Sequence, residues 1–164
     1  MSPFITSHVL LAFILLGARH ATIAVDARPS MSKFPNGEPV VYVVEIKNVS
    51  RHKLFISRHP SLDSFLYAEI RGQDGKLRRW CGRICRRRYT ASAFRLVDPG
   101  SVVSVRVNLA CEDGHGYNLE PGEFTARVCY LAEAEYLAPL LKGHAIAEGP
   151  ACSPPSHFEI SPQK

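Results

Sequence analysis

The sequence predicts an all-β fold, a single antiparallel β-sandwich of about 7–9 short strands with little helix. Three observations carry this. Short apolar stretches rich in Val, Ile and aromatic residues alternate with a period of two. Turn residues such as Asn-Gly, Asp-Pro-Gly and Pro-Gly separate them at intervals of about 8–12 residues. Helical spacing is never sustained: the best candidate, Tyr130–Lys142, is broken by Pro139 and leaves room for one or two turns. The chain has 164 residues, 46% hydrophobic and 21% charged. That supports one core and excludes a disordered tail, a coiled coil or a multi-pass membrane protein.

The elements follow in order. Ala21–Ala27 is a short candidate strand, and Phe34–Pro39 is turn chemistry built on Asn36-Gly37. In Val40–Lys47, Val40, Tyr42, Val44 and Ile46 share a wholly apolar face, which predicts that this face meets the core. Asn48–Lys53 is a polar turn and Leu54–Ser57 a further strand. Phe65–Arg71 alternates, turns at Gly72–Gly75, and returns as a hairpin partner in Lys76–Trp80. Ala93–Val97, the turn Asp98-Pro99-Gly100 and Ser101–Leu109 come next. After Pro121-Gly122, Glu123–Leu131 presents Phe124, Ala126, Val128 and Tyr130 on one face. Pro139–Pro155 reads as loop, and Phe158–Ile160 closes the chain.

The first residues read differently. Val9–Gly17 is an apolar run of signal-peptide length, too short to span a bilayer. It reads as a signal peptide over residues 1–21, cut near Ala18 or Ala21, although the leading residues carry no Lys or Arg. An uncleaved anchor and a buried first strand are the competing readings. No stable transmembrane helix is expected, and the protein is expected to be secreted or periplasmic. The sandwich would then occupy residues 22–164.

Charge is concentrated in one place. Twenty Lys and Arg oppose fifteen Asp and Glu, for a net +5. Residues 76–95 hold eight cations and no acid, so this stretch is +8 and the remainder −3. It contains Arg78, Arg79, Arg83, Arg86, Arg87 and Arg88, with Trp80 and Tyr89 among them. Such a segment attracts an anionic partner, and the aromatics add stacking and cation–π contacts. An acidic protein, an acidic polysaccharide or an anionic surface fits; the expected compartment argues against nucleic acid. Two plainer readings compete: a solvated hairpin tip neutralised by the acidic residues 112–164, and a protease processing site at Arg86–Arg88.

All five cysteines, Cys81, Cys85, Cys111, Cys129 and Cys152, lie beyond the leader. An oxidising compartment predicts two bridges and one leftover thiol. Cys111 lies just past one strand and Cys129 near the far end of the next, which disfavours their pairing. Cys129 and Cys152 flank one strand–loop–strand connection, so their pairing is expected. Cys81, Cys85 and Cys111 then share one bridge, with a local Cys81–Cys85 link attractive because it pins the basic segment. Zinc is the competing use, through Cys81-x3-Cys85, Cys111-x3-His115 or Cys152-x4-His157. None of these spacings is diagnostic, and no cofactor or metal is expected.

Nothing signals catalysis: no H-E-x-x-H, G-x-S-x-G, P-loop or dinucleotide fingerprint occurs. The acid–His cluster Glu112–Gly116 reads as a flexible turn between strands. Asn48-Val49-Ser50 is an N-glycosylation acceptor sequence, with a chance triplet in a turn as the alternative.

Gly37–Ser50 (GEPVVYVVEIKNVS) and Leu119–Tyr130 (LEPGEFTARVCY) resemble the early and late strands of bacterial immunoglobulin-like domains. Ser156–Ile160 is similar to their closing strand. Domains of this kind include secreted domains and domains similar to the bacterial intracellular proteinase inhibitor family. The resemblance implies an immunoglobulin-like sandwich over most of residues 21–160. Cys81–Arg88 has no counterpart in that pattern. The expected function is a non-enzymatic binding module that uses the basic segment as its contact surface. A proteinase inhibitor presenting that segment is the alternative, and a zinc- or thiol-dependent protein a further one.

Overall fold

The computed structural model describes residues 22–62, 64–82, 89–132, 137, 139–141, 145–147 and 149–162. The proposed leader, Cys85, Arg83, Arg86, Arg87 and Arg88 lie outside them.

Alternation sets the strands. β1 (Ile23–Pro29), β3 (Val41–Asn48) and β7 (Val102–Asn108) form one antiparallel sheet in the order β1-β3-β7. The second sheet has β2 (Lys33–Pro35), β10 (Ser156–Ser161), β8 (Gly122–Tyr130) and β5 (Leu66–Gly72) in the order β2-β10-β8-β5. In it, β9 (Ala151–Cys152) pairs with one end of β8. β4 (Leu54–Ser57) and β6 (Phe94–Val97) make a small antiparallel pair. Helix is sparse among the described residues: the 3-10 turn Ala91–Ala93, and Leu137, which is α-helical and whose carbonyl accepts from Leu140 N and Leu141 N.

The two larger sheets close on one core. Val40, Tyr42, Val44 and Ile46 are buried, as are Phe124, Ala126, Val128 and Tyr130, so both expected apolar faces meet the core. Full burial of each Val, Ile or Phe contributes about 1.5–3 kcal/mol. The sheets touch where Tyr42 meets Phe158 edge-to-face, with ring centroids 5.8 Å apart. Ser156 Oγ donates to Tyr42 Oη at 3.2 Å across the same contact. This is an all-β sandwich, as expected.

Turn chemistry places the connections. Asp98-Pro99-Gly100 turns β6 into β7, with Ser101 N donating to Asp98 O at 3.1 Å. Gly100 adopts φ 79°, which a proline-first type II turn requires at its third residue. Two strands lie outside the expected set. β2 pairs parallel with β10 inside a stretch that reads as turn, and β9 falls inside a stretch that reads as loop.

The hairpin expected between Phe65–Arg71 and Lys76–Trp80 is made only in part. Leu77 bridges to Arg71 and Arg78 N donates to Ile70 O, but Trp80 leaves β5 and bridges to Tyr117. That departure mounts the basic segment on the 110–121 connection instead.

Candidate functional site: the base of the basic segment

The segment rises from a fixed base. Asp74, in the turn after β5, accepts from Lys76 N at 3.1 Å. It also pairs with the Arg78 guanidinium, whose nitrogens lie 3.1 and 3.3 Å from its two oxygens. The main-chain donor of Lys76 and then Arg78 hold the Asp74 carboxyl below its ordinary pKa. Arg78 also lies over the Phe124 ring, 5.5 Å from its centroid. Its charge is therefore spent within the fold. Arg79 is exposed, while its carbonyl accepts from Asn118 N.

Trp80 is half-buried. Its ring stands edge-on to Tyr117 at 5.2 Å and to His115 at 6.4 Å, and its buried Nε1 has no hydrogen-bond partner among the described residues. Tyr117 is the anchor: its hydroxyl accepts from Ala68 N of β5 at 2.9 Å, and burial raises its pKa. Tyr89, beyond the arginines, packs tilted against Phe65 with centroids 4.6 Å apart and shares a hydrogen bond with Ser64 Oγ. Both aromatics thus seat the segment on the sandwich.

The bridges sharpen this picture. Cys129 pairs with Cys152, S–S 2.02 Å, at directly opposed positions of β8 and β9, as expected. Cys129 is buried although it points away from the main core. The other bridge joins Cys81 to Cys111, with Cα atoms 6.1 Å apart. This corrects the local Cys81–Cys85 link. Cys81 N donates to Gly116 O, so the chain delivers Cys81 to the 110–121 connection. Four of the five cysteines are then used, and Cys85 is the one remaining. Sulfurs held in bridges are not thiolate ligands, which removes Cys81, Cys111 and Cys152 from the zinc pairs.

The acid–His cluster is a tight hairpin turn. Glu112 and His115 exchange main-chain hydrogen bonds at 2.8 and 2.9 Å, around Asp113 at φ 49° and Gly114 at φ 77°. Among the described residues, no group of three or more His, Cys, Asp or Glu is placed to hold a metal ion.

A groove of about 680 Å³ lies at the base, lined by Lys76, Arg78, Arg79, Glu120, Glu123 and Phe124. Glu120 and Glu123 come from the expected neutralising region, and Asp74 lines the groove as well. Among the described residues, Lys76 and Arg79 form no ion pair. A second groove of about 440 Å³ sets Trp80 beside Arg106, Asp113 and His115. Sequence reasoning missed this grouping. The only available signal was that Arg106 falls on the polar phase of β7.

The acceptor asparagine is structural. Asn48 is fully buried; its Nδ2 donates to His52 O at 2.8 Å and Val97 O at 2.9 Å. Its Oδ1 accepts from Ser50 N and Ser50 Oγ. A nitrogen so engaged is closed to glycosylation in the folded protein.

Fold and cross-links define a disulfide-bonded all-β sandwich with a basic segment mounted on one connection. No protein-family model and no curated protein matches the chain. Among the described residues, no helix is long and apolar enough to cross a membrane. Two disulfides are the pattern of an oxidising compartment.

Proposed function

We propose that this chain is a secreted or periplasmic, non-enzymatic binding module of immunoglobulin-like type. Its contact surface is segment 76–95, and its partner is a polyanion, with an acidic polysaccharide as the first choice. One observation carries the reading: the Cys81–Cys111 bridge fixes the start of the Arg-rich stretch to the sandwich. A fixed base lowers the entropy lost when the segment binds. Arg79 and Lys76 are exposed, and they add two cations to the arginines that the sequence carries at 83 and 86–88.

The resemblance to bacterial immunoglobulin-like domains supports the module, and the two bridges support the compartment. A fixed base also suits a proteinase inhibitor that offers arginine to a trypsin-like protease.

The test is retention on an immobilised sulfated polysaccharide across a salt gradient. Retention at low salt should vanish before about 1 M, where the Debye length has fallen to about 3 Å. Replacing Arg83, Arg86, Arg87 and Arg88 together with Gln should abolish it. Retention unchanged by that replacement, or none at low salt, contradicts the reading. Stoichiometric inhibition of a trypsin-like protease with the segment left intact would favour the inhibitor.

A further inference from the structure

The three-stranded sheet ends on β7. Its ladder to β3 fixes which main-chain groups face outward. Leu109 N donates to Val40 O at 2.9 Å, and Ser101 O accepts from Asn48 N at 3.0 Å. Odd-numbered residues of this stretch therefore bond to β3. The N–H and C=O groups of Val102, Ser104, Arg106 and Asn108 point the other way. Among the described residues, none of these groups has a hydrogen-bond partner.

Lone edges are usually guarded by proline, a bulge or an inward-turned charge. β7 has no proline, its register with β3 is unbroken, and its one ionised residue, Arg106, is exposed on the outer face. Val102 is 45% exposed on that same face. On the core face, Val103 and Val107 are buried but Val105 between them is only half-buried.

We propose that β7 pairs antiparallel with β7 of a second copy of this chain, about a two-fold axis through Val105. This register overlaps the whole strand and places outward-facing groups against outward-facing groups. Val105 meets Val105 of the second copy, and Val103 meets its Val107, at the closely spaced non-hydrogen-bonded positions. Ser104 faces Arg106 of the second copy, and Val102 faces its Asn108. No charge meets its like, whereas a shift of two residues toward the C-terminus would oppose Arg106 to itself. The strand is thus complementary to itself, with about eight main-chain hydrogen bonds available across the axis. The contact is isologous and closes as a dimer.

Sedimentation equilibrium over a concentration series, on the mature oxidised protein, tests this. Ser104→Pro deletes an outward N–H that the β3 ladder does not use, and edge strands accept proline there. It should weaken dimerisation at least about tenfold. Ser104→Arg places a cation opposite Arg106 of the second copy and should also weaken it. Ser104→Glu should tighten it at low salt, with the gain lost at high salt. Circular dichroism and the melting midpoint check that each variant is folded; Ser104 is exposed, and Glu45 lies opposite it in β3. A wild-type monomer up to about 1 mM overturns the proposal. So does a dimer that responds to none of the three substitutions while they remain folded.

Discussion

Asn48→Ala probes how the end of β3 is tied to the neighbouring elements. The side chain is 0% exposed and makes four hydrogen bonds. Truncation removes the buried bond to Val97 O, a carbonyl that also faces Leu54 in the β4–β6 ladder, at a cost of about 1 kcal/mol. The bonds to His52 O, Ser50 N and Ser50 Oγ are only part-buried, so water replaces much of what they lose. The expected total is about 2 kcal/mol. At about 2–4 °C per kcal/mol for a chain of this size, the melting midpoint should fall by roughly 4–8 °C. Calorimetry of the oxidised protein is the assay. Asn48→Asp sharpens it. A carboxylate there would face the two carbonyls that the amide nitrogen now serves. Burial raises its folded-state pKa, so its stability is best preserved at acid pH and lost as pH rises through that value. A fall of under about 2 °C for Asn48→Ala would refute the reasoning.

Two further outcomes are expected. Burial pushes the Tyr42 and Tyr130 phenols up from 10.0 to about 12. A raised folded pKa means full stability below the unfolded value, so stability should fall as pH rises from about 10 toward 12, by about 1.4 kcal/mol per pH unit for each group. Ultraviolet titration should show these phenols ionising together with loss of the near-ultraviolet dichroism, and Tyr42→Phe should reduce the slope. In Gly116→Ala, a residue at φ 126° gains a Cβ that collides with the Ala110 main-chain oxygen. A loss of about 2–4 kcal/mol in denaturant melts is expected, and a neutral result would contradict the placement of this connection.

Much of the fold was legible in the sequence, because one-face burial writes a period of two into the chain. Val40–Ile46 and Phe124–Tyr130 declare their inner faces directly. β2 was not legible: three residues beside an Asn-Gly turn carry no period, and their pairing depends on β10, which is far along the chain. β9 was hidden for the same reason. Cys129–Cys152 followed from strand geometry, since both residues flank one connection. Cys81–Cys111 did not. It depends on Trp80 abandoning its hairpin for Tyr117, a choice made by ring packing and by the Tyr117 hydroxyl on Ala68 N. Charge density located the basic segment at once, yet not that Arg78 is already committed to Asp74 and Phe124.

The cross-links decide where the basic segment leaves the sandwich, so peptide mapping without reduction tests the central claim most directly. Digestion of the purified mature protein, read by mass spectrometry, should recover Cys81 joined to Cys111 and Cys129 joined to Cys152, with Cys85 in neither linked peptide. Recovery of a Cys81–Cys85 link, or of five reduced cysteines, would contradict the account.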